Sequence, residues 1–217
     1  MSLENRVDPY GKIFRTSARG TFMGNRGGAI HNDRREIVRP FLNRRWITCV
    51  LEFRGRKRTV MTPGRYTELF FLDEAVSLAA GHRPCAECRR ERFNAFRDAW
   101  AEWDHTRPAG PLRADYMDNI LHRARVDSER RQVTHQAPID TLPDGCFVEA
   151  GGQPFIVSGN VLALWTPEGY TGKQPRPMGS LVTVLTPEPA VRCIRAGYAP
   201  VIHPSIHAAS IARTSGK

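Results

Sequence analysis

The sequence is short of the features that would place it in a membrane or outside a cell. Its 217 residues contain no apolar run near the roughly 18 that a spanning helix needs. The N-terminal stretch MSLENRVDPY lacks the apolar core of a signal peptide. Cysteine is sparse: five residues, an odd number, with one close pair at Cys85 and Cys88. That argues against a disulfide framework in a chain this long and fits a reducing cytoplasm, so a cytoplasmic protein is expected. Repeats and low-complexity tracts are missing as well. With 41% apolar and 25% charged residues the composition is that of a folded domain rather than a disordered chain. The length allows one large or two small domains.

Acids are also scarce where they would matter most. Between positions 12 and 58 thirteen Lys and Arg residues face only Asp33, Glu36 and Glu52, a local charge of +10 that equals the net charge of the whole chain. Arginine far outnumbers lysine, which suits bidentate contact with phosphates. A polyanion is therefore the expected partner, with Arg44, Arg45, Arg54, Arg56, Lys57 and Arg58 as candidate nucleic-acid contacts. The glycines at 20–28 lack the spacing and the strand–helix setting of a phosphate loop. His31-Asn32-Asp33 carries a nuclease-like histidine, but no partner histidine stands at a fixed spacing, so a surface turn is expected.

Residues 9–45 read as a short strand pair joined by glycine turns. Residues 46–53 alternate as a half-buried strand, with Ile47, Cys49, Leu51 and Phe53 on one face, and 58–61 are expected to return as a hairpin arm. Residues 68–72 should lead into a short helix capped by Asp73 and ended by Gly81. Arg83-Pro84 then forces a turn. A second helix is expected from about Ala86, with Phe93, Phe96, Trp100 and Trp103 at helical spacing. Residues 106–112 form the best linker. A helix over 113–129 follows, then strands over 146–150, 155–157, 161–166 and 181–185, a helix opened by Pro187, and a closing strand at 201–203. The tail after Pro204 is expected to be poorly ordered. The fold class read from this pattern is α+β: small antiparallel hairpins with helices over 1–110, then a β-rich region with one helix over 111–217.

Chemistry is expected at the Cys-x-x-Cys pair. A helix start supplies unpaired amides and a positive dipole end, both of which favour thiolates, and thiolates bind metal or attack electrophiles. The run Phe70-Phe71, Asp73-Glu74-Ala75, Ala79-Ala80-Gly81, Arg83-Pro84-Cys85 and Cys88 resembles the second half of the Ada-type metal-binding domain. In that DNA-repair family the phrase supplies two of four cysteine ligands to zinc, and the domain recurs beside nucleases and other DNA-handling modules. The resemblance covers about twenty residues. It departs from the family in lacking the upstream cysteine pair, with only Cys49 in that neighbourhood, and in placing His82 where the family has Phe or Tyr. The family's methyl-accepting cysteine belongs to the missing pair, so alkyl transfer does not carry over.

A structural zinc site needs four ligands. Cys85 and Cys88 supply two. Cys49 supplies a third if its strand packs beside the second helix, and the fourth would be His82 or His31. Cys146 and Cys193 stand in apolar surroundings and read as structural. The function expected is zinc-stabilised binding of nucleic acid, DNA before RNA, without catalysis. The rivals are a thiol–disulfide redox protein using Cys85 and Cys88 and a nucleic-acid-processing enzyme.

Overall fold

Phe155-Ile156-Val157 and Val182-Thr183-Val184-Leu185 are nearly unbroken apolar runs, and the structure explains why. They belong to a sheet that is buried on both faces. The computed structural model describes residues 2–56 and 59–210. This second sheet contains β7 (His135–Pro138), β8 (Phe147–Ala150), β9 (Gln153–Ser158), β10 (Val161–Thr166), β11 (Gly169–Pro175) and β12 (Leu181–Val184). The order is β11-β10-β9-β8-β12-β7, antiparallel throughout. Because side chains alternate along a strand, Val148, Phe155, Val157, Leu162 and Val184 enter one core cluster, while Phe147, Ile156 and Ala163 enter the other.

The first cluster is closed by α2 (Arg90–Trp103), α3 (Ala114–Arg125) and α4 (Glu188–Arg195). Phe93, Phe96 and Trp100 of α2 and Met117 and Leu121 of α3 are all buried in it. The second cluster is closed by α1 (Glu74–Ala79) and by the first sheet, β1 (Glu4–Val7), β2 (Ile13–Arg15), β3 (Phe22–Arg26), β4 (Trp46–Cys49), β5 (Leu69–Phe71) and β6 (Arg83–Pro84). That sheet runs β2-β1-β5-β3-β4-β6 and is mixed, with β1/β5 and β4/β6 parallel. A short α5 (Ser205–Ala208) packs its Ile206 into the same cluster. The α+β class follows directly, as two six-stranded sheets with helices between and outside them. Among the described residues no helix is long and apolar enough to cross a membrane.

Both clusters draw side chains from either side of residue 110. Residues 111–217 expressed alone are therefore expected to show no cooperative thermal transition, because each half of the chain covers the other's apolar face. Circular dichroism during heating checks this. A cooperative melt of the fragment near that of the full chain would instead make 110 a domain boundary.

Several elements differ from the sequence reading. Residues 69–71 form a central strand, not a lead-in to the helix, since a three-residue apolar run carries no period of its own. No strand forms over 59–61, where Met61 is buried with φ 54°; Lys57 and Arg58 lie outside the described residues. Residues 201–203 make no strand and instead bond to α1, and Ser205–Ala208 is helical. The polar edge strands β7 and β11 gave no apolar alternation to read.

Candidate metal centre and the cleft beside it

The centre is assembled where β4 meets β6. These two strands pair in parallel, Ile47 with Arg83 and Thr48 with Pro84. The Cys85 amide then donates to the Thr48 carbonyl at 2.9 Å, which sets Cys85 beside Cys49. Thr48 Oγ1 donates to Ser77 Oγ at 2.8 Å and ties β4 to α1. The buried face of β4 is therefore Trp46 and Thr48, whereas the alternation had pointed to Ile47 and Cys49. Those two line an open cleft. The reversal follows from the partner: α1 offers a hydroxyl to Thr48, so the polar residue is satisfied inside.

Helix α2 begins at Arg90, so Cys85 and Cys88 sit in the turn before it and not in its first turn. The Arg89 amide donates to the Cys85 carbonyl at 3.2 Å and the Glu87 amide approaches Cys85 Sγ at 3.4 Å. Gly81 ends α1 and leaves room for the Arg125 side chain. Its φ is 82°, and a Cβ there would lie 2.4 Å from Arg125 Cδ. Arg83 is locked on the opposite side by a bidentate pair with Asp118, 2.8 and 2.7 Å, both groups buried.

The ligand atoms of Cys49, Cys85 and Cys88 all lie within 4.8 Å of one another. The thiols of Cys49 and Cys88 beside Cys85 hold its thiol well below the ordinary value. The same contact with Cys85, joined by Cys88 and burial, pushes Cys49 up. Cys88 is raised too: contact with Cys49 lowers it, but Cys85 and burial outweigh that. Three soft sulfur donors at this separation suit a thiophilic ion such as zinc, which would make all three thiolates. Cys146 and Cys193 lie elsewhere. Both are buried, and burial pushes each thiol up to about 12.

Among the described residues no histidine or carboxylate joins the three sulfurs. The His82 ring is fully buried against Phe71 and Trp46, at 4.7 and 5.2 Å, and its Nε2 accepts from Arg26 Nε at 3.4 Å. Burial, then the nearby Arg26 and Arg125, hold its imidazole well below the ordinary value. His31 is bonded through Nδ1 to Thr67 Oγ1 at 2.6 Å, with Nε2 3.3 Å from the Thr62 carbonyl.

The sulfurs line a cleft of about 860 Å³. Arg45 and Arg56 of the predicted nucleic-acid contacts line it as well, together with Arg19, which the sequence pattern did not single out. Arg45 is exposed and pairs with Asp115 at 3.4 Å; Arg56 pairs with Glu87 at 2.8 Å and lies over the Phe53 ring. Arg54 also stacks on Phe53, at 5.0 Å, and Arg44 faces a second depression, where its Nη1 donates to Asn119. Phe53, Tyr66 and Phe70 add aromatic walls to the cleft. Local pattern set Phe53 on a strand face with Cys49 but gave no sign of a cleft, because β3, β4 and β5 bring its walls together from distant parts of the chain.

No protein-family model matches the chain, and neither a curated protein nor a solved structure matches it.

Proposed function

We propose that the protein is a zinc-stabilised nucleic-acid-binding protein with no catalysis of its own. The observation that carries this reading is the convergence of Cys49, Cys85 and Cys88 at the wall of a cleft that also bears Arg19, Arg45 and Arg56. The ion would bind the three sulfurs and join β4 to the turn before α2, fixing that wall of the cleft. The arginines would contact phosphates and position the strand without reading sequence. The resemblance of residues 70–88 to the Ada-type domain favours DNA over RNA and supports the choice of zinc.

Binding of a fluorescent oligonucleotide, followed by anisotropy across a salt series, tests the partner. Affinity is expected to fall steeply with salt, with a log–log slope near −0.7 per neutralised phosphate on single strands or −0.9 on duplex. Replacing Arg45 and Arg56 with alanine should flatten the slope by about one unit for each phosphate that is no longer neutralised. Absence of binding to DNA and RNA at low salt would overturn the nucleic-acid reading.

A further inference from the structure

A second feature lies on the other side of Trp46. Arg26 and Arg125 are 3% and 2% exposed, and their guanidinium carbons stand 4.2 and 3.9 Å from the Trp46 ring centroid. Among the described residues neither forms an ion pair. Arg26 donates only to neutral groups, the Gly11 and Pro40 carbonyls and His82 Nε2. Arg125 donates to the carbonyls of Gly81 and Arg44 and approaches His122 Nδ1, while its buried Nε has no partner. The carboxylates whose charge reaches them are engaged elsewhere: Asp8 accepts from the Lys12 amide, and Asp118 holds Arg83.

Two buried cations on one indole ring, with no paired carboxylate, are costly. An anion seated between or beside them removes that cost. A pocket of about 80 Å³ is present there, lined by Arg26, Trp46 and Arg125, with Phe41 and Arg130 among its other walls. Arg130 is exposed, holds a left-handed φ of 64°, and extends over the Phe41 ring at 5.3 Å. The planar guanidinium fork matches the oxygens of phosphate better than it matches a spherical ion.

We propose that the pocket lined by Arg26, Trp46, Arg125 and Arg130 is a binding site for a phosphate group, separate from the cysteine cleft. The site stands independently of the nucleic-acid reading, since it rests on uncompensated buried charge and not on the cleft. The phosphate can be inorganic or the terminal monoester of a larger molecule.

Thermal unfolding of the full chain in inorganic phosphate, compared with chloride at equal ionic strength, tests it. A saturable rise in Tm with phosphate alone is expected, as for any ligand that binds only the folded state. Arg130→Ala, at the exposed mouth, should leave the chloride Tm unchanged and weaken the phosphate midpoint about tenfold, the effect of removing one charged hydrogen bond. Arg26→Met should abolish the phosphate response, whatever its own Tm in chloride. Should Arg26→Met fail to fold, Arg130→Ala and the wild-type titration still decide. A Tm that tracks ionic strength regardless of the anion, or a phosphate midpoint unmoved by Arg130→Ala, would overturn the site. Competition by a 5′-phosphorylated oligonucleotide that exceeds its 5′-hydroxyl twin would place the phosphate on a polymer end. Equal competition would leave the inorganic ion as the ligand.

Discussion

Cys85→Ser is expected to lose bound metal and to melt well below the wild type. The three sulfurs lie within 4.8 Å of one another, and loss of any one leaves only two donors. A ligand that binds only the folded state adds about 4 kcal/mol when present at a thousand times its Kd. For a chain of this size that corresponds to a Tm lower by about 8–16 °C. Small zinc fingers lose on the order of 10 kcal/mol and unfold outright. Here two apolar clusters persist without the metal, and the variant should remain folded at room temperature. Cys146→Ser is the control, since that thiol is buried outside the three-sulfur group and its replacement should leave metal content intact. Calorimetry with and without a chelator measures both effects. A Cys85→Ser variant as stable as the wild type, with no metal in either, would instead favour a metal-free relic of such a site or the redox pair.

Glu74→Gln is expected to cost about 3–5 kcal/mol, the range for breaking a buried ion pair and leaving its cation behind. The Glu74 side chain is fully buried and pairs with Arg89 at 2.9 Å and Arg92 at 3.0 Å. It also accepts from the Tyr198 hydroxyl and from the Val201 amide at 2.9 Å. Arg89 follows Cys88 directly and is itself buried, so the pair fixes the turn that carries two of the sulfurs. The neighbouring Asp73 caps α1 through the Val76 amide and also accepts from Tyr170 and His203. The two acids thus tie the first helix to the last strands and the C-terminal segment.

The pH dependence of this contribution has a definite sign. Burial pushes the Glu74 carboxyl up, but Arg89, Tyr198 and the Val201 amide outweigh it and leave it below the ordinary value. A lowered folded-state value means that the stabilisation is complete above the unfolded value near pH 4.3 and is lost as pH falls through the folded one. Wild type and Glu74→Gln should therefore converge in stability on acidification. The exposed pair Arg97–Asp98 should contribute less than about 1 kcal/mol at any pH, and Arg97→Ala serves as the control. Urea midpoints between pH 3 and 7 would show both.

How much of this was legible in the sequence depends on how local the signal was. The α1 cap at Asp73, the stop at Gly81, the apolar stripe of α2 and the strand over 161–166 follow from residues a few positions apart. The pairing of Cys85 with Cys88 is local in the same way. Cys49 could be placed beside them only on the condition that its strand reached the turn, and the β4–β6 register supplies that contact. His82 and His31 were the histidines considered for a fourth ligand. His82 stands three residues before Cys85, yet its ring is held by Trp46, Phe71 and Arg26 inside the core, an arrangement made by three separate strands. The face of β4 was misread for a related reason: a hydroxyl partner from α1 made the polar face the buried one. Buried Arg26 and Arg125 gave no sign at all, because a run of arginines reads as surface until the fold shows which are covered.

The central claim is that Cys49, Cys85 and Cys88 together hold a zinc ion. Elemental analysis of purified protein alongside Cys49→Ser tests it most directly. Close to one zinc per chain is expected in the wild type, falling to near zero in the variant. Zinc absent from the wild type, or retained in full by Cys49→Ser, would contradict the three-sulfur site.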